Sequence, residues 1–439
     1  MPKKKTSTTR RKSSAGRIVR PQEKRDMRIS WLSNAPWTGT GYGIQTDLFT
    51  KKLAQDGYPV CVLCNYGYQG TSEPLVKDGI AHFGVQGSAD PFGNAAGPKN
   101  FRDWVATGGP GAYGLLTTLI DVWVLNDPGW DDVPVLAWTP IDHKFIPNLV
   151  RQFFQRRKRN VYALAMSKFG MNEMLNDGFR EESVLYSPHA YDGNIFFPRK
   201  KTDIDTIRQL MHMPTDAHVT MINAANKGIT PIRKCWPEML YAWSSFAHQH
   251  KDAWLYLHTN VNVWSGEPAF DIQEMLRQIK APKERIVIVN QTDYAKGLPL
   301  GVVAERYAAA DVLLSTSRGE GFGVPVVEAQ ACGVPVIVTN WTAQPELVGS
   351  GWKVEGQVEW DHLQTGWWKV PNVDEIYQAL CASYDTKADT KRRATMAKEA
   401  KDYVQQFEVQ NVYKTYWQPM LSKIEQEIKP AQSLRTAQR

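Results

Sequence analysis

Between residues 219 and 339, short apolar runs alternate with longer helical patterns. Runs at 219–223, 253–258, 286–290, 312–316 and 334–339 read as strands, and the segments 234–250, 271–279, 299–309 and 325–332 between them read as helices. Repeated strand–helix–strand units connect parallel strands by crossovers, so this half predicts a parallel sheet flanked by helices. The same rhythm occurs upstream. A strand at 27–33, a Gly-rich loop at 34–43, a helix at 44–55 and a strand at 59–64 make the opening unit of a doubly wound domain. Further strands are expected at 121–125, 133–138 and 161–166, a helix at 148–159, and long loops across 84–114, where glycine, proline and asparagine cluster. The run from Phe197 to Lys201 and the polar stretch after it read as a linker. The chain of 439 residues thus predicts an α/β architecture with Rossmann-like domains at 27–198 and 199–390, a tail at 1–26 and a C-terminal segment at 391–439. Helices over 392–428 are expected to pack back on the first domain.

Charge and composition narrow the class. Residues 1–25 hold ten Lys and Arg against Glu23, a charge of +9, which leaves the rest of the chain at −2 of the +7 total. The basic character belongs to a tail without apolar periodicity, read as disordered, and not to a polyanion-binding body. An apolar fraction of 42% excludes a mostly disordered chain. No stretch approaches the 18 apolar residues of a membrane span, and no apolar region follows the basic start as in a secretory leader. Five cysteines do not form a disulfide framework, and a reducing cytoplasm is the expected compartment. The sixteen tryptophans fit buried core, with sugar or base stacking as the alternative for individual rings.

Chemistry concentrates at 315–340, STSRGEGFGVPVVEAQACGVPVIVTN. A strand runs into a loop with Gly319, Gly321 and Gly323, and a helix is expected to open at Pro325, where proline forfeits no hydrogen bond. Glycines admit close backbone approach, and the free N–H groups of a helix start suit phosphate. Glu320 in the loop and Glu328 one turn into the helix flank this anion site. N–H groups for phosphate beside carboxylates for hydroxyls describe a ligand such as a nucleotide sugar.

In this setting Glu320-x7-Glu328, within G-E-G-F-G-x-P-x-x-E-A, resembles the signature of GT-B retaining glycosyltransferases of the family 4 type. The resemblance implies two Rossmann-like domains facing across a cleft, a nucleotide-sugar donor as co-substrate, no metal or other cofactor, and retention of the anomeric configuration. It places Glu320, with Gly321, Phe322 and Gly323, at the donor sugar and Glu328 at the ribose. The segment from Ser187 through His189 and Asp192 to Pro198 looks like the family's P-H-G-x-D…F-x-P stretch, with Ala190 in place of glycine. Asp192 as a cap and His189 as a hydrogen-bonded linker residue are the structural alternatives. Arg233 and Lys234 are taken as the cations that hold the diphosphate, with Lys227 the alternative. The loop with Gly41 looks like the family's first Gly-rich loop, near donor or acceptor. Asp142 and His143, after the strand at 133–138, stand where the family often places a polar group near the sugar.

Other features are set aside. Cys61 and Cys64 lie in a strand pattern with no second pair to complete a zinc site. Asp203-Ile-Asp205 follows a basic linker, so helix capping is expected. Arg151 and the basic run 156–159, with Phe153 and Phe154, read as a solvated helix face. The acceptor stays open between a macromolecule, nucleic acid or protein, recruited by the basic tail, and a glycolipid or polysaccharide at a membrane surface. A solubilising tail, a sugar phosphorylase and a non-catalytic nucleotide-sugar-binding module are the remaining alternatives.

Overall fold

The computed structural model describes residues 24–69, 73–87, 89–156, 161–228, 232–261 and 269–436. The expectations for residues 1–23 and for Arg157 to Arg159 lie outside them. The first sheet contains β1 (Arg28–Asn34), β2 (Val60–Tyr66), β3 (Leu75–Lys77), β4 (Ile80–Gly84), β5 (Gly114–Leu119), β6 (Val135–Thr139), β7 (Val161–Ala165) and β8 (Val184–Tyr186). Their order is β3-β4-β2-β1-β5-β6-β7-β8, all parallel except the edge strand β3. The second sheet holds β9 (His218–Asn223), β10 (Ala253–His258), β11 (Ile286–Ile288), β12 (Val312–Ser315), β13 (Val336–Thr339) and β14 (Gly351–Val354). Its order, β11-β10-β9-β12-β13-β14, is parallel throughout. A hairpin of β15 (Gly356–Asp361) and β16 (Gly366–Pro371) follows.

In each sheet the chain winds outward one way, returns, and winds the other way. The reversal falls between β1 and β5 in the first sheet and between β9 and β12 in the second. Ligands of doubly wound sheets bind at the carboxyl ends of strands at such a switch point.

Several expected boundaries move. The strand expected at 121–125 is a short 3-10 turn, Val122–Val124, and the sheet strand is Gly114–Leu119. Thr117 and Thr118, fully buried in that strand, interrupt its apolar run in sequence. Gly114 has its place because a β-carbon there would come 2.5 Å from the Arg28 carbonyl oxygen. The expected loop 84–114 contains the helix Ala96–Ala106. Gly97 and Pro98 lie on its buried face with Phe101, and the Asp90 carboxylate accepts from the backbone N–H groups of Asn94, Ala95 and Ala96. The expected linker holds the helix Lys201–Leu210, so Asp203 and Asp205 lie inside a helix rather than capping it. Asp205 pairs with Lys201, and Arg208, buried, pairs with Asp311 at 2.8 Å. Phe153 and Phe154 are buried and Arg151 pairs with Asp177, so this helix is not a plain solvated face.

After Val404 the C-terminal helices break and return to the first domain. Trp417, fully buried, lies 5.5 Å from Trp31, 4.9 Å from Phe49 and 5.3 Å from Trp138, ring centre to ring centre. The hydroxyl of Tyr413 donates to Asp56 at 3.1 Å, and that of Tyr113 to Glu425 at 2.8 Å. Trp130, Trp236 and Trp243 are also core. Among the described residues no helix is long and apolar enough to cross a membrane.

Candidate active site

The two switch points face each other. From the second sheet, Arg233 and Lys234 follow β9 and Glu320 follows β12. The helix expected at residue 234 starts at Trp236, which leaves both cations in the preceding loop. Arg233 Nη1 donates to Glu320 Oε2 and to the Gly319 carbonyl, each at 2.8 Å, and Lys234 Nζ pairs with Glu320 Oε1. The sequence separation is 86 and 87 residues; the neighbouring strands close it. Burial alone would raise the Glu320 carboxyl, but Arg233 and then Lys234 outweigh it and hold the group at about 2. Burial pulls Lys234 down, and Arg233 adds to that. Burial also opposes the charge on Arg233, yet Glu320 and Asp142 raise its pKa. The result is a pair of fixed cations sharing one carboxylate.

The helix after this loop is Val324–Ala331, starting one residue before the expected Pro325, which takes its second position. Gly323, with φ at +126°, makes the turn into it, a backbone state that side-chain-bearing residues rarely adopt. Glu328 is 4% exposed, and its Oε2 accepts from the Tyr307 hydroxyl at 3.0 Å, which accepts in turn from Asn223 Nδ2 at 2.7 Å. Burial raises the Glu328 carboxyl to about 8. Sequence gives Tyr307 no role, whereas Asn223, which ends β9 at the switch point, opens the stretch that leads to Arg233 and Lys234.

The glycine loop meets the first domain. A β-carbon on Gly321 would lie 2.5 Å from the side chain of Pro140 and 3.3 Å from Met166 Sδ. The ring of Phe322, buried, stands edge-on to His189 at 5.3 Å and to Phe407 at 5.6 Å. Gly321 and Phe322 are therefore packed between domains.

The first domain supplies Tyr42, Asp121 and Asp142. The helix expected from residue 44 starts at Gly41, capped by Thr40, whose side chain accepts from Gly43 N, so Gly41 and Tyr42 lie in its first turn. Among the described residues, and apart from its chain neighbours and its own helix backbone, no atom lies within 4 Å of a β-carbon placed on Gly41. His143 does not face the cleft with a free nitrogen. It is 1% exposed, its Nδ1 meets Asp142 at 2.7 Å, its Nε2 meets Asp361 of β15 at 3.3 Å, and its ring stacks on Trp368 at 4.4 Å. The hairpin β15–β16 also pairs with the first domain through Lys144 and Trp367. Asp142 is the member of the pair that bears on the cations. Burial raises its carboxyl, and His143 and then Arg233 bring it below its ordinary value.

Asp121 carries no sequence signal as a site residue, because the strand that precedes it lies at Gly114–Leu119 and not at 121–125. It follows β5, beside the first switch point, and burial, then Asp142, raise its carboxyl to about 6 against Arg233. His189 is buried against Trp138 at 4.5 Å, and burial lowers it to about 3. Its Nδ1 has no hydrogen-bond partner among the described residues. Asp192 closes an Asx turn onto Asn194 N at 2.8 Å. Asn226 ties the loops at Asn260 and Phe270. Among the described residues, no group of three or more His, Cys, Asp or Glu is placed to hold a metal ion.

Residues 262–402, which contain Glu320 and Glu328, match the family model for glycosyl transferases group 1. Mannosylfructose-phosphate synthase of Agrobacterium fabrum is 25% identical over 180 residues, 40% of this chain and 37% of that protein. The chain spans between 11% and 37% of the length of the curated relatives it matches. Among solved structures, a glycosyltransferase from Rickettsia africae superimposes with a TM-score of 0.67 at 15% identity, over 92% of this chain and 100% of that one. Anabaena HepE in complex with UDP-glucose does so with a TM-score of 0.61 at 16% identity, over 90% of this chain and 100% of that one. The chain thus carries a glycosyl transferases group 1 segment within a GT-B fold, two Rossmann-like domains facing across a cleft.

Proposed function

We propose that this chain is a retaining glycosyltransferase that moves a hexosyl or pentosyl group from a nucleotide-sugar donor to an acceptor hydroxyl. The observation that carries this reading is the sharing of Glu320 by Arg233 and Lys234 at the mouth of a glycine loop that runs into the Glu328 helix. As the bond between the anomeric carbon and the phosphate oxygen breaks, negative charge grows on the leaving nucleoside diphosphate. Fixed guanidinium and ammonium groups stabilise that charge without reorganising. The diphosphate competes with Glu320 for the two cations, and the released carboxylate accepts hydrogen bonds from the donor sugar. Glu328, with Tyr307 and Asn223 behind it, takes the ribose hydroxyls. In this scheme the two cations stand where other transferases use a metal, and no cofactor is needed. The complex of the Anabaena neighbour makes UDP and UDP-glucose the first ligands to try.

The test is a melting-temperature panel of nucleoside diphosphates and nucleotide sugars on the wild type and Glu328→Ala. A ligand at 100 times its dissociation constant stabilises the folded state by about 2.7 kcal/mol. Selective stabilisation by one nucleotide, reduced in the variant, is the expected result. No response to any nucleotide would sink the proposal.

A further inference from the structure

The hairpin β15–β16 lies on the seam between the two domains, and its two faces differ. Side chains alternate along a strand, so Glu359 and Asp361 share one face with their cross-strand partners Trp368 and Gly366. The hairpin meets the cleft loops of both domains. On the second domain, Glu359 pairs with Arg318, and the Lys369 amide donates to the Arg318 carbonyl at 3.1 Å. The Arg318 amide donates in turn to the Arg233 carbonyl at 2.8 Å. On the first domain, the Lys144 amide donates to the Trp367 carbonyl at 3.1 Å. A β-carbon on Gly366 would lie 2.6 Å from His143 Cβ. Trp368 stands between the two loops: its ring stacks on His143, and its Cδ1 lies 3.1 Å from the place of a β-carbon on Gly319. Val358 and Trp360, on the hairpin's other face, are exposed.

Asp361 carries this contact into the first domain. It is 6% exposed, and its two oxygens have different partners. Oδ1 accepts from the amides of Leu363 at 2.9 Å and Gln364 at 3.3 Å, which closes the turn of the hairpin. Oδ2 meets His143 Nε2 at 3.3 Å. On the other side of that ring, Nδ1 meets Asp142 Oδ1 at 2.7 Å. An imidazole is planar and rigid, so a carboxylate at each nitrogen fixes both its place and its rotation. Asp142 sets its backbone carbonyl where a β-carbon on Gly319 would stand, and the Gly319 carbonyl accepts from Arg233 at 2.8 Å. A line of contacts thus runs from the hairpin through His143 and Asp142 to the loop of Glu320.

We infer that Asp361 is a positioning residue for sugar transfer: acting through His143, it holds Asp142 and the glycine loop at the spacing the donor sugar needs. The inference rests on the transferase reading above and adds a residue that lies outside its motifs. A carboxylate of the second domain fixes a side chain of the first, so the link exists only while the two loops are in register. A misplacement of about 1 Å at a reacting centre can cost about 10²-fold in rate. Arg233 and Lys234, which would hold the diphosphate, bond to Glu320 within the second domain and do not depend on His143. Loss of the link therefore falls on turnover more than on nucleotide binding.

Asp361→Asn is the separating variant. Its amide oxygen still closes the turn, while its amide nitrogen replaces the carboxylate oxygen that meets His143. The full chain is used with the nucleotide sugar selected by the melting panel. Turnover is read as release of nucleoside diphosphate, with water or an added methyl hexoside as acceptor. In the variant kcat is expected to fall at least tenfold, with the donor KM within threefold and the Kd of the nucleoside diphosphate within twofold. An unchanged kcat overturns the inference. So does loss of nucleotide binding, which would make Asp361 a support of the fold and not of the site. In a His143→Gln background, adding Asp361→Asn is expected to change kcat less than twofold. A further tenfold fall there refutes action through His143. Val358→Thr, on the exposed face, is expected to keep the wild-type kcat, and an equal fall there overturns the role given to Asp361. Hydrogen exchange supplies a readout apart from turnover. The Lys144 amide is expected to exchange at least tenfold faster in Asp361→Asn, with the β6 amides unchanged, and equal exchange at Lys144 overturns the inference. A wild type that binds no nucleotide strikes the transferase reading itself. A wild type that turns the donor over, with Asp361→Asn equally fast, strikes the inference alone.

Discussion

The backbone carbonyl of Asp142 occupies the place a β-carbon on Gly319 would need. One residue lies in the first domain's loop after β6, and the other in the glycine loop of the second, so the domains meet backbone to side-chain-free backbone. The glycine loop cannot retreat, because the Gly319 carbonyl is held by Arg233 at 2.8 Å. Gly319→Ala must therefore push the domains apart or strain both loops, at about 1–3 kcal/mol for an overpacked site. The expected outcome is a melting temperature several degrees lower and a larger radius of gyration by small-angle scattering. Unchanged values for both would show that the contact does not set the domain spacing.

Glu320→Gln separates structural from functional charge. Breaking a buried ion pair by removing one partner costs about 3–5 kcal/mol. The Arg233 side chain keeps 34% of its surface exposed, so solvent screening puts the expected loss at or below the lower end. The variant leaves both cations without their carboxylate, and a diphosphate no longer has to displace it. UDP should therefore bind more tightly to Glu320→Gln than to wild type in calorimetry, while transfer falls. Weaker UDP binding by the variant would refute the competition. The pH dependence has a fixed sign. With its folded pKa lowered to about 2, Glu320 stabilises the fold above its ordinary value of 4.5. That contribution is lost as pH falls through the window between the two.

What could be read from sequence followed the range of the interaction. The strands and helices between 219 and 339 were legible because buried parallel strands are apolar runs broken by helices. Glu320 and Glu328 were legible because the glycines, Pro325 and both acids lie in one short segment. Asp121 was not, because the polar faces of Thr117 and Thr118 disguised the strand that delivers it. The helix Ala96–Ala106 was not, because its glycine and proline serve as a packing face. His143 could be named but not placed. Its second carboxylate, Asp361, is 218 residues away on a hairpin that carries no sequence signal for crossing to the first domain.

Glu328 makes the opposite pH prediction. Its folded pKa is raised from 4.5 to about 8 by burial, so the folded state holds the proton more tightly than the unfolded chain. Its contribution is complete below 4.5 and declines as pH rises toward 8, at about 1.4 kcal/mol per pKa unit. Glu328→Gln keeps the shape and removes the titration. The expected result is a variant more stable than wild type at pH 8 to 9 by a few kcal/mol at most, with the difference closing near pH 4. UDP binding should weaken in the same variant, since the amide replaces one carboxylate oxygen toward the ribose. Parallel stability–pH curves for the two proteins would show that Glu328 is ionised in the fold.

Trp417 tests how the C-terminal helices hold the first domain. Its ring is fully buried between Trp31, Phe49 and Trp138, the last of which donates through Nε1 to the Ser187 carbonyl at 3.0 Å and lies against His189. Removing a buried tryptophan side chain costs about 3–5 kcal/mol, set by how far the surrounding rings collapse. Three large aromatics cannot collapse without moving β1 and β6, the strands that carry the loops toward Tyr42 and Asp142. Trp417→Ala should therefore lower stability by an amount in that range and also weaken acceptor use. Tyr413→Phe removes only the hydroxyl that donates to Asp56, and should cost about 1 kcal/mol with the site intact. Chemical denaturation of both variants, read with acceptor KM, checks the pair. A loss in Trp417→Ala no larger than in Tyr413→Phe would mean the helices dock without depending on this cluster.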